Sequence, residues 1–329
     1  SGTIRIITNQ PNPDRFEGNV GVGLSDTTHG SGNYNFNGVF NAPLIDGKLA
    51  VRAVGWNVND SGYIDNVRLG LKDINTEETS GGRVTLALGA TDRLKITGSF
   101  LYQDQQLGGK SFYFPTDGFL KQSEWVLDPR TDRGKISQLD VAYSGDAYDV
   151  DLSSAYLDRF VYYRFDSTPI LIFFGVPDLP AVTLQPEQSS TWSTEARISS
   201  KLDGPVQFVA GALYQQLKRN FISTVVSVDA NGRANGDEFS PDIFGRTSSR
   251  DVKQDAVFGE LTYSMTPKWT LIAGLRWFRS EERAFSQNTF PFFGGPPEAP
   301  RNARSTETKV TPKVSLSYQI SDDSLIYGL

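Results

Sequence analysis

Period-two segments joined by connections of two contrasting lengths run through almost the whole of this chain. Connections of about four or five residues alternate with connections of about 20 to 30, a pattern that sets all the long loops at one end of the strands. The short ones include Ile45-Asp46-Gly47-Lys48, Thr91-Asp92, Gly145-Asp146 and Leu202-Asp203-Gly204-Pro205. The long ones are expected over 61–80, 104–133, 159–189, 219–250 and 279–305. A sandwich or a propeller has no reason to gather every long loop at one end, whereas a barrel inserted from one side does.

The stretch from Ala256 to Trp277 displays the repeating unit. Val257, Gly259, Leu261 and Tyr263 share one parity, and Phe258, Glu260 and Thr262 take the other. After the turn 264–268, Trp269, Leu271, Ala273, Leu275 and Trp277 lie on one face, with Thr270, Gly274 and Arg276 opposite. The apolar face therefore carries aromatic rings at both ends. Elsewhere Tyr102, Tyr156, Tyr214 and Trp277 fall at the long-loop ends of such faces, and Tyr143, Tyr148, Tyr263, Trp269 and Tyr318 at the short-turn ends. An apolar band between two aromatic girdles, backed by a polar face, is the pattern of a transmembrane antiparallel β-barrel. The opposite face is too polar for a dry core, because Asn33, Asn35 and Asn37 share one strand face and Asp149 and Asp151 another. The fold class is thus all-β, with short periplasmic turns and long extracellular loops.

Composition narrows the chemistry. No apolar run approaches the roughly 20 residues of a spanning helix, and the longest, Ile170 to Val176, reads as loop. Cysteine is absent, which excludes disulfides, thiolate metal sites and cysteine nucleophiles. The net charge of −6, without a basic cluster interleaved with aromatics, argues against a nucleic-acid partner. His29, the only histidine, sits in a polar loop and supports neither a catalytic triad nor a histidine metal site, so no enzyme, cofactor or metal is expected. Gly18, Gly21 and Gly23 lack the dinucleotide spacing and read as strand glycines approached by bulky neighbours. The stretch 229–238 has the composition of a calcium loop, but its Gly and Glu are off the EF-hand spacing, so it reads as a turn, with a calcium site as the lesser alternative.

The opening SGTIRIITNQP resembles the last plug strand of TonB-dependent outer-membrane receptors, in which a Gly-x-Ile-x-Ile-Ile-Thr segment leads into the barrel. Residues 192–215, 256–277 and 311–329 are similar to successive barrel segments of that family, particularly its iron-complex branch. The resemblance implies that 1–12 end a plug domain and that 13–329 form the N-terminal part of a barrel of about 22 strands, of which about 12, and the start of a 13th, are counted here. The chain opens on Ser1 without a signal peptide and stops at Leu329 inside a strand pattern, so it is expected to be an internal fragment. By resemblance the parent sits in the cell outer membrane, surrounded by lipid. It takes up a large scarce solute, most readily a ferric siderophore or similar iron complex, with energy from the TonB complex. A passive outer-membrane pore and a soluble all-β binding protein are the alternatives. If strands rise from the short turns, the upper lumen-facing positions are Gln103, Arg159, Gln215, Arg276 and Phe278, with Phe112, Tyr113, Tyr162, Tyr163 and Arg164 in the loops above. Arginine and aromatic groups suit an anionic or catecholate chelate, and equally suit filling the gap between wall and plug.

Overall fold

A computed structural model describes residues 7–176, 179–237, 240–292 and 294–328. Its body is a single 13-stranded antiparallel meander, each strand pairing with its neighbours in sequence order. The strands are β1 (Glu17–Asp26), β2 (Gly32–Ile45), β3 (Leu49–Asp60), β5 (Glu77–Thr91), β6 (Leu94–Leu107), β8 (Arg130–Ser144) and β9 (Tyr148–Asp166), continuing below. After helix α1 (Thr168–Phe173) come β10 (Ala181–Ser200), β11 (Val206–Ser227), β12 (Phe244–Ser264), β13 (Trp269–Phe290), β14 (Arg301–Ser321) and β15 (Ser324–Gly328). Two-residue strands β4 (Asp65–Asn66) and β7 (Lys121–Gln122) pair in parallel and tie two loops together. The expected plug-end strand 3–8 lies outside the described residues except for Ile7 and Thr8.

The apolar parity faces outward. Val84, Leu86, Phe100, Tyr156, Trp192, Leu261, Trp269, Leu275 and Val314 are all exposed, in keeping with a wall whose outer solvent is hydrocarbon. The girdles are in register: Tyr156 pairs with Trp192, whose ring lies 5.5 Å from Tyr214, and Trp269 lies 4.6 Å from Tyr318 at the other end. Eight residues separate Tyr148 from Tyr156 on β9, and eight separate Trp269 from Trp277 on β13.

Two expectations are corrected. The stretches 77–80, 104–107, 130–133, 159–166, 181–189, 219–227, 244–250, 279–290 and 301–305, read as loop, are strand, which leaves long-end connections at 61–76, 108–129, 167–180, 228–243 and 291–300. Above the girdle neither face meets hydrocarbon, so the strands lose the apolar alternation that marks them. Part of the Ile170–Val176 run is helical, with Pro169 in the first turn where its missing N–H is harmless.

That helix helps to build one of two apolar clusters found among the described residues, which lie on opposite sides of the strand tops. On the outer parity, Val126 packs against Val182, Leu184, Val226 and Val228. On the inner parity, Leu171 of α1 packs against Ala181, Val225 and Ile243. Residues 181–184 are therefore buried on both faces at once. A buried ionic knot fastens the outer layer: Lys110 bridges Glu124, at 3.0 Å, and Asp128. Asp128 accepts the Asp166 N–H, and Asp166 accepts those of Trp125 and Thr168. Burial, then the neighbouring Asp128, push the Glu124 carboxyl up to about 8 against the pull of Lys110.

Candidate functional site: a row along the inner wall

Strand registry is unbroken from β1 to β14 along one row, so a single line of inward-facing residues crosses twelve strands. It runs Gly21, Asn37, Trp56, Gly81, Gln103, Gly134 and then Arg159, Ser189, Arg219, Arg250, Ala284 and Ala303, each directly opposite the next. Because hydrogen-bonded rows run across tilted strands, this one climbs. Gln103 is one residue above Tyr102 of the girdle, Arg159 three above Tyr156, and Arg219 five above Tyr214.

The row has two chemical halves. In the first, small residues let flat side chains lie against the wall: a Cβ on Gly81 would stand 2.5 Å from the Trp56 ring, and one on Gly21 would stand 2.7 Å from the Asn37 amide. The reading of Gly21 as a strand glycine under a bulky neighbour holds in this geometry. The second half is cationic. Arg159 Nε donates to Asp132 Oδ1 at 2.8 Å, Arg219 pairs with Glu187 and lies over the Phe221 ring, and Arg250 forms a two-pronged pair with Glu282 at 2.6 and 2.8 Å. These arginine side chains are 44%, 43% and 52% exposed. Their carboxylate partners are 16%, 25% and 30% exposed, so each arginine meets an incoming anion in competition with the carboxylate it already holds.

The sequence-derived residues divide among several places. Gln103 and Arg159 fall on the row, separated by Gly134. Gln215, Arg276 and Phe278 face inward lower down, opposite Ser193, Phe258 and Ala256 respectively, and Arg276 has no ion pair among the described residues. Tyr163 also faces inward, its ring 5.3 Å from Phe165. Tyr162 and Arg164 lie in β9 rather than in a loop, and their parity is that of Tyr156, so they face outward under the 124–128 and 229–234 segments. Phe112 and Tyr113 stay in the loop after β6, where Phe112 meets Phe114 and Tyr113 meets Phe119, itself against His29. Asn37, Trp56, Arg219 and Arg250 were missed. Carrying parity upward from Tyr214 would have found Arg219, since five residues reverse the face. In the stretch with calcium-loop composition, the Asp229 carboxylate accepts the N–H groups of Asn231 and Arg233, both at 2.9 Å, which makes a turn. No metal-binding group of three such side chains occurs among the described residues.

A family model described as TonB dependent receptor-like, beta-barrel, matches residues 11–328. Solved structures share the fold at low identity. The ferric yersiniabactin uptake receptor FyuA of Yersinia pestis superposes with a TM-score of 0.78 at 17% identity, over 97% of this chain and 47% of that one. The siderophore receptor PiuA of Acinetobacter baumannii gives 0.69 at 16%, over 97% and 49%. The ferric citrate transporter FecA gives 0.70 at 14%, over 97% and 44%. This chain thus spans about half the length of the structures it matches. No protein of curated function matches the sequence.

Proposed function

This chain belongs to the TonB dependent receptor-like β-barrel family, and from that premise we propose that it lines the uptake path of an outer-membrane receptor for an anionic iron chelate. The parent captures a ferric siderophore or similar complex from outside and imports it with energy delivered through TonB. The observation that carries this reading is the inner-wall row of Arg159, Arg219 and Arg250, half-exposed guanidinium groups that can turn from their own carboxylates to a multivalent anionic chelate. Trp56 and Asn37, on the same row, offer a ring face and an amide to the uncharged part of such a ligand. Solved relatives of the same fold named for ferric yersiniabactin and ferric citrate support the choice of ligand class. The test uses the intact receptor in a strain lacking its chromosomal copy, grown on a panel of iron sources. A variant with Arg159→Ala and Arg219→Ala is expected to bind the growth-supporting chelate about tenfold or more weakly, the scale of one or two lost charge-assisted bonds. Undiminished affinity for every chelate in the panel would remove the row from the site.

A further inference from the structure

On the outer side of the strand tops three loops meet around a cavity of about 450 Å³ that the uptake path does not use. Its lining carries Arg68, Arg164 and Arg233, with Leu71, Val126 and Leu127 between them, and no carboxylate among the described residues. The site is built before any ligand arrives. Arg68 lies flat on the Trp125 ring at 3.9 Å and spends its Nε on the Ser123 carbonyl at 2.8 Å. Its two Nη groups make no hydrogen bond among the described residues, and Arg68 lines the cavity. The Asn66 side chain holds the same loop by accepting the N–H groups of Arg68 and Leu69 and donating to the Glu124 carbonyl. Arg164 donates to the Gly232 carbonyl at 2.9 Å, which fixes the third loop to β9. A Cβ on Gly232 would stand 2.8 Å from the Trp125 carbonyl, so the loops are in close contact. The Arg233 guanidinium at the rim makes no hydrogen bond among the described residues. The Asp229 carboxylate of the same turn is engaged by the backbone N–H groups of Asn231 and Arg233.

Position selects the occupant. Arg164 and Tyr156 lie on one face of β9, and registry with β8 and β10 is unbroken between them, so the cavity opens on the side that meets the membrane. Eight residues of strand tilted by about 45° raise Arg164 roughly 19 Å above the girdle, at about 3.4 Å per residue. A phospholipid headgroup layer is only about 6 Å deep, so its phosphates stay out of reach, whereas a sugar headgroup extends that far. We propose that this cavity binds a phosphorylated saccharide, the headgroup of a glycolipid in the outer leaflet, and holds that lipid against the wall. Paired guanidinium forks match phosphate oxygens in geometry as well as charge.

The intact receptor, reconstituted in bilayers that contain lipopolysaccharide, supplies the test. Native mass spectrometry is expected to find glycolipid retained on the unmodified protein and retention reduced about tenfold in the variant with Arg68→Ala and Arg233→Ala. Enzymatic removal of the lipid phosphates should produce the same loss on the unmodified receptor, which needs no variant to fold. The inner-wall variant Arg159→Ala should retain lipid normally, so failure of the uptake reading leaves this measurement intact. Equal retention after dephosphorylation, or by the arginine variant, would overturn the proposal. Binding of soluble sugar phosphate as tight as that of the membrane lipid would overturn the lipid as its source.

Discussion

Below the upper girdle the wall separates two different solvents, and above it the same strands stand between two layers of protein and water. Ile96 in the lower band faces out toward lipid, with Thr97 on the inner side beside the cleft that Ile7, Thr8 and Gln10 help to line. Leu184 in the upper wall has the same outward parity as Trp192, yet is fully buried under Val126. One pleat rule holds throughout, and only the surroundings change. The lower band is held in register by a solvent boundary that costs the protein nothing to build. The upper wall has to supply its own covering on each side, with the 108–129 loop outside and α1 inside.

Four measurements test that contrast, beginning with the largest effect. Leu184→Ala opens a cavity inside the upper sandwich and should cost about 2–5 kcal/mol of local stability. Hydrogen exchange in 124–128 and 181–184 is expected to accelerate while the amides of the lower band stay protected; uniform acceleration would mean that the two regions form one cooperative unit. Ile96→Arg places a charge at mid-depth in hydrocarbon and should lose roughly 2–4 kcal/mol of folding into bilayers, with a much smaller loss for Thr97→Arg. Equal losses at the two positions would show that the faces are exchanged. Acidity should distinguish the regions as well. Because the folded Glu124 carboxyl titrates near 8, above its unfolded value of 4.5, its contribution to the cap is complete below pH 4.5 and declines as pH rises toward about 8, at no more than about 1.4 kcal/mol per unit. Limited proteolysis of 108–129 should therefore quicken between pH 5 and 8, flatten beyond, and lose this slope in Glu124→Gln. Smallest of all, Arg250→Ala breaks an exposed pair and should change stability by about 1 kcal/mol or less, leaving chelate binding as its main readout.

The lower band was legible in the sequence because lipid imposes a contrast that residue types record. Val257 to Tyr263 and Trp269 to Trp277 declare both their strands and their outward face. The upper wall was illegible for the converse reason. Across 219–227, RNFISTVVS, polar and apolar residues occur on both parities, since each face is covered by a loop or helix from elsewhere in the chain. Arg159 and Gln103 were found because they sit within three residues of a girdle ring, where parity can still be counted with safety. Arg219 and Arg250 needed the same count carried into a stretch with no visible alternation. Tyr162 and Arg164 show the other failure, in which chemical type suggested a ligand contact but strand parity directs them outward.

The eight-residue interval between girdle rings has a consequence for where such a wall can reside. At about 3.4 Å per residue and a tilt of about 45°, the rings lie roughly 19 Å apart in height, well short of a hydrocarbon core of about 30 Å. Inserted into an average bilayer, the wall would force the surrounding lipid to thin by roughly 10 Å, at a fraction of a kcal/mol per ångström. Bacterial outer membranes are thinner than average. Hydrophobic matching alone thus sorts this protein toward that membrane, because any thicker bilayer would have to be strained to hold it.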